Sequence, residues 1–276
     1  MNNIKCIILD IDYTLTKSDN SISDYTISII KELTKRGIYV IICTGRPNIY
    51  AVEKSKISNA SPIVISDNGA LIYNYEEDNI LYKNNISKTY LNQIWDLSLT
   101  KNVDCVLNAV HTRYRHKKFI NSTYIKTNSY IDSINNLKED VLQLVLSSTN
   151  KEELLDCKKY INNIEELEVT NTNLNRIPEK NYYFCDVNVK GNSKGKSIIR
   201  LINMLNIDIN DVICFGDSMN DISMFDVCKH KVAMKNSSDE FKKNANYITE
   251  YTNDEDGVAR FIETNILSKI RKKFIL

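Results

Sequence analysis

Asp10 and Asp12 stand two residues apart at the end of the apolar run Ile7-Ile8-Leu9. That run reads as a buried parallel strand. It places Asp10 at a C-terminal strand end, where open α/β sheets bind their ligands. Two carboxylates on such a tip are costly unless a cation or a reaction needs them. One can act as a nucleophile while the other exchanges protons; the plainer reading is a solvated pair of loop aspartates. Three further segments put useful groups just past a strand end or at a helix start. Ile41-Ile42-Cys43 leads into Thr44-Gly45-Arg46. Ser193-Lys194-Gly195-Lys196 opens an amphipathic stretch, and Val212-Ile213-Cys214-Phe215 leads into Gly216-Asp217-Ser218-Met219-Asn220-Asp221. Thr44 offers a hydroxyl and an N–H to an oxyanion.

In this order the four segments resemble the four motifs of the haloacid dehalogenase-like (HAD) phosphohydrolases, and more closely the Cof-type sugar-phosphate phosphatases. Ser66-Asp67-Asn68-Gly69-Ala70, Val232-Ala233-Met234 and Asp254-Glu255-Asp256-Gly257-Val258-Ala259 fit that subgroup. The resemblance implies a Mg²⁺-dependent phosphatase acting on small phosphorylated metabolites, sugar phosphates first. It makes Asp10 the nucleophile that forms an aspartyl-phosphate. Asp12 becomes the acid/base, with its backbone carbonyl on the metal. Thr44, Gly45 and Arg46 would meet phosphate or substrate. Lys194, a point charge, would neutralise phosphate oxygens and orient Asp10. Asp10 and Asp217 would supply carboxylates to Mg²⁺, an oxygen-seeking cation. Asp221 would hold Lys194 or a metal-bound water, and Asn220 would touch phosphate. The chain departs from the common pattern at Tyr13, where many members have glycine, and at Lys235.

The elements needed to position these residues alternate. Strands are expected at 4–9, 38–43 and 63–65, with helices at 24–35, on an Ile27/Ile30/Leu33 face, and after Pro47. The alternation resumes with a helix at 196–205, a strand at 212–215, a helix at 221–227, a strand at 232–234, and helices near 238–244 and 257–265. This βαβ order implies an α/β fold, a doubly wound, mostly parallel, Rossmann-like sheet. The middle differs: helices at 88–99 and 151–161 accompany strands at 103–109, 141–147, 167–170 and 182–187. The strands alternate more and carry polar positions, as in a sheet with one exposed face. We read residues 1–84 and 187–276 as the catalytic core. Residues 85–186 read as an inserted α+β domain, the C2-type cap of the resembled family, with linkers at 82–86 and 184–188.

Composition bounds the alternatives. The 36 Lys+Arg and 35 Asp+Glu nearly cancel, which argues against nucleic-acid binding. No apolar run approaches the roughly 18 residues of a membrane span, and no signal peptide is expected, because the first strand begins at Ile4 and runs straight into the candidate site. Seven scattered cysteines without C-x-x-C spacing read as reduced residues of a cytoplasmic protein. His111, His116 and His230 have no zinc-like spacing. Gly191 to Ser197 looks like a P-loop, but three residues separate its glycine from Gly195-Lys196-Ser197 where that loop needs four. An Asp-phosphorylated ion pump would have Thr in place of Asp12, and membrane spans. A phosphomutase keeps both aspartates and stays open, as does a non-enzymatic phospho-ligand-binding regulator. The basic run from His111 to Lys118 reads as a solvated face, and nothing sets the oligomeric state.

Overall fold

The structure of the chain is a computed structural model that describes residues 3–122, 125–173 and 182–273. It divides into two compact units. The first holds Met1–Arg46, Tyr50–Leu81 and Ser193–Leu276; the second holds Pro47–Ile49 and Tyr82–Asn192. Residues 123–124 and 174–181 of the expected insertion lie outside the described residues. In chain order the strands are β1 (Cys6–Leu9), β2 (Tyr39–Cys43), β3 (Ile63–Ser66), β4 (Leu71–Asn74), β5 (Asn79–Lys83), β6 (Asp104–Ala109), β7 (Arg113–His116), β8 (Ser129–Ile131), β9 (Val141–Ser148), β10 (Leu167–Asn173), β11 (Tyr183–Val189), β12 (Val212–Gly216), β13 (His230–Ala233) and β14 (Tyr247–Ile248).

Apolar runs make the centre of the first unit. All residues of β1 and β12 are buried, as parallel strands covered on both faces require. The sheet runs β14-β13-β12-β1-β2-β3-β4-β5. Strands β14 through β3 are parallel, and β4 turns antiparallel to β3. Sequence order diverges on the two sides of β1, so the carboxyl ends of β1 and β12 flank a topological switch point, the usual ligand crevice of such sheets. The helix Asp24–Lys35 starts on Ser23, whose hydroxyl accepts from Thr26 N. It buries Thr26, Ile29, Ile30 and Leu33. Its buried stripe is therefore turned from the expected one, leaving Ile27 partly exposed. The helix Lys194–Met204, capped by Ser193, starts two residues earlier than expected and carries Lys194 in its first turn.

The second unit has a six-stranded sheet, β10-β11-β9-β6-β7-β8, antiparallel except where β8 joins β7. One face packs Leu107, Leu144, Leu146 and Val187 against Ile94, Trp95 and Leu154 of the helices Lys88–Thr100 and Lys151–Ile161. The alternation predicts that the other face is exposed. Instead, β6 is buried along its whole length and β9 almost so. The polar alternates satisfy one another. Arg113 Nε donates to Asn108 Oδ1 (2.8 Å), Asn108 Nδ2 to Gln143 Oε1 (2.8 Å), Gln143 Nε2 to Asn188 Oδ1 (3.2 Å), and Asn188 Nδ2 to Thr170 Oγ1 (2.6 Å). This row crosses five strands. Residues 184–188, where the expected strand at 182–187 overlaps an expected linker, lie inside β11 between β9 and β10, so the strand holds and the linker does not. The basic run is a solvated face only in part: His111, Lys117 and Lys118 are exposed. Tyr114 is core, and Arg115 is a buried ion pair with Asp104 (3.2 Å).

Candidate active site

Asp10 follows β1 directly and is 4% exposed; its N–H donates to Phe215 O of β12 (3.2 Å), which fastens the loop to the neighbouring strand. Lys194, 1% exposed, reaches from its helix start to Asp10 Oδ1 (2.7 Å) and Asp221 Oδ1 (2.6 Å). The other Asp221 oxygen accepts from the N–H groups of Asp217 (3.0 Å) and Ser218 (3.3 Å). Asp221 is thus occupied in holding Lys194 and the turn after β12. Gly216 makes that turn possible, because a Cβ there would lie 2.7 Å from the Asp221 carboxylate. Asp10, Asp217 and Asp221 each place a carboxylate oxygen within 4.8 Å of the others.

Three carboxylates face one ammonium, and the cluster's electrostatics follow. Burial and the Asp221 charge raise the Asp10 carboxyl well above the usual range, against the pull of Lys194. Burial first, and then Asp221, push Asp217 up to about 7. Burial pulls Lys194 down, but the Asp10 and Asp221 charges outweigh it and hold the ammonium charged. An all-oxygen, net-anionic donor set suits a hard divalent cation, and Asp10 and Asp217 are the carboxylates available to hold one.

The remaining expected residues surround this cluster. Thr44 directly follows β2, with its N–H on Ile65 O (2.9 Å) and its hydroxyl accepting from Arg46 N (3.1 Å). Behind it, Asn68 Oδ1 stands 2.6 Å from the point where a Gly45 Cβ would be. Asp12 is not in the carboxylate cluster. Its side chain takes a two-pronged bond from Arg46, Nε to Oδ2 (2.8 Å) and Nη2 to Oδ1 (2.9 Å). Arg46, read as a substrate contact, therefore fixes the second aspartate, and its guanidinium lies over the Tyr50 ring. Asn220 is exposed and accepts from Ser218 Oγ (2.7 Å). Sequence reasoning passed over Thr14, whose hydroxyl donates to Asp217 Oδ1 (3.2 Å). Its position four residues after Asp10 was the available signal. It also passed over Asn236, whose side chain donates to Tyr13 O (2.9 Å).

Comparison with known proteins shows the family. A model of the haloacid dehalogenase-like hydrolases matches residues 7–262. Two Bacillus subtilis proteins named 5-amino-6-(5-phospho-D-ribitylamino)uracil phosphatase are similar along almost their whole length. YcsE is 29% identical over 268 residues, covering 96% of this chain and 97% of its own. YitU is 30% identical over 265 residues, covering 93% and 96%. A crystal structure of a haloacid dehalogenase-like hydrolase from Bacteroides thetaiotaomicron superposes with a TM-score of 0.82 at 24% identity, covering 95% of this chain and 99% of that one. The chain belongs to the haloacid dehalogenase-like hydrolase family. Within it, the chain is a Cof-type phosphatase, an enzyme acting on phosphorylated substrates. Among the described residues no helix is long and apolar enough to cross a membrane.

Proposed function

We propose that this phosphatase is Mg²⁺-dependent and hydrolyses small phosphorylated metabolites, sugar phosphates first, through an aspartyl-phosphate on Asp10. The carrying observation is the buried meeting of Asp10, Asp217, Asp221 and Lys194 at the carboxyl ends of β1 and β12. Asp10 is the nucleophile. Its Oδ1 is held by Lys194, which fixes the carboxylate and adds positive charge where an anionic ester must approach. Asp12 protonates the leaving alkoxide and then takes the proton of the water that cleaves the acyl phosphate. Arg46 orients Asp12 for both steps. Thr44 and Asn220 offer donors to the phosphoryl oxygens. Asp10, Asp217 and the Asp12 carbonyl would hold Mg²⁺, which when bound neutralises charge on the phosphoryl group. Asp221 serves the metal site through Lys194 and the turn. The names of the Bacillus subtilis relatives specify a phosphorylated ribityl compound as their substrate, which favours a phosphorylated sugar or polyol here.

The test is a sugar-phosphate panel run on chelated protein, with and without added Mg²⁺, for wild type and Asp10→Asn. Turnover should appear only with Mg²⁺. Asp10→Asn should abolish both turnover and covalent labelling, because an amide oxygen is a poor nucleophile. Wild-type rates in Asp10→Asn would refute the nucleophile assignment, and full turnover after exhaustive chelation would refute the metal.

A further inference from the structure

Tyr13 lies between the two residues that frame the reacting centre, Asp12 and Thr14. Its backbone is left-handed, with φ 57° and ψ 9°, a region that penalises a Cβ and that glycine takes freely. The conformation is imposed from outside. Asn236 Nδ2 donates to the Tyr13 carbonyl (2.9 Å), and Asn236 Oδ1 accepts from Asn253 N (3.0 Å). The ring is 56% exposed. Among the described residues no hydrogen bond or ring contact engages the side chain. The fold therefore bears the strain of a side chain at this position and gains no hydrogen bond or ring contact from it among the described residues. Such strain concentrates where function fixes the residue. Met219, 53% exposed, stands on the adjoining loop two residues past Asp217, at the end of the neighbouring strand.

We propose that Tyr13 is a specificity-determining residue whose ring receives a planar, ring-bearing organic portion of the phosphate ester, with Met219 extending the same apolar rim. The inference rests on the function proposed above and follows from its geometry. The leaving oxygen must lie within hydrogen-bond reach of Asp12. The organic group thus begins beside Asp12, and the next Cα is only about 3.8 Å along the chain. An aromatic face there binds flat groups by offset or edge-to-face stacking, and a thioether adds a pliable apolar contact.

Binding of phenylphosphonate and methylphosphonate, neither of which can be hydrolysed, tests this by calorimetry in excess Mg²⁺. Wild type and Tyr13→Phe should prefer the phenyl compound by about two- to tenfold, the size of one aromatic stacking contact. Tyr13→Gly should bring the ratio of the two dissociation constants near one, with an unfolding midpoint no lower than that of wild type. A phenyl preference that survives in Tyr13→Gly would overturn the assignment while leaving the phosphatase site intact. So would a clearly lower Tyr13→Gly midpoint, which would make the ring structural. Failure of wild type to bind either phosphonate would overturn the site reading beneath it.

Discussion

Asp217 makes the cluster sensitive to pH in the neutral range. In the unfolded chain its carboxyl titrates near its ordinary value of 3.8, whereas burial and Asp221 raise it to about 7 in the fold. Between those values the native state holds a proton that the unfolded state has lost. Metal-free stability from this group therefore falls as pH rises from about 4 to about 7. A cation needs the ionised form, so protons compete with it. Apparent Mg²⁺ affinity, followed by calorimetry, should weaken steadily from about pH 8 to about pH 6. Asp217→Asn should lose most of that affinity, yet raise the unfolding midpoint of chelated protein at about pH 8. Lys194 acts oppositely. It is the buried countercharge of two carboxylates, so Lys194→Ala leaves charges buried and unpaired. We expect a loss of about 3–5 kcal/mol in urea unfolding together with loss of turnover. A variant with native stability and only a raised KM would show that Lys194 touches substrate without holding the cluster together.

Among the elements, the polar row of the second sheet is the part whose energetics differ most from what its pattern implies. Asn108 and Asn188 flank Gln143, and all three are buried. Such amides are stable inside a fold only when fully paired. Asn188→Ala would strip Gln143 Nε2 and Thr170 Oγ1 of their partner. It should cost about 1–3 kcal/mol in thermal unfolding, whereas a surface Asn→Ala change costs little. Period-two alternation in β6 and β9 told which residues share a face. It could not tell what meets that face, so a row of amides bonded side by side read as a solvated surface. At 184–188 two expectations overlapped, and the strand expected at 182–187 holds where the linker, which has no glycine or proline, does not. The first sheet was legible because its strands are continuous apolar runs that end in charged or hydroxyl residues. Burial on both faces and a function at the tip each leave a direct trace there. Asp10 and Asp217 could be found in that way, and Lys194 by its place at a helix start. The Arg46–Asp12 pairing could not, because which oxygen meets which nitrogen is decided by side-chain geometry at the ends of separate strands.

At the scale of the whole molecule, the two units divide the chemistry unevenly. Asp10, Asp12, Thr44, Arg46, Lys194, Asp217 and Asp221 all belong to the first unit, and under the function proposed above they would offer a phosphoryl and metal site common to any monoester. Such a site separates one leaving group from another only weakly, because discrimination requires contacts with the part of the ester that differs. Tyr13 adds a preference for flat groups but cannot read hydroxyl patterns. We therefore assign finer selection to the inserted segment, roughly residues 86–186, whose own sheet is rich in polar side chains. Binding energy collected from the remote part of a substrate is then spent on the reacting centre, so substitutions there should change kcat/KM unequally across substrates. Substitutions in this segment that keep the unfolding midpoint should re-rank a sugar-phosphate panel. Hydrolysis of acetyl phosphate, which has almost no remote part, should change far less. An equal loss on every substrate, acetyl phosphate included, would mean that the inserted unit supplies part of the catalytic machinery itself.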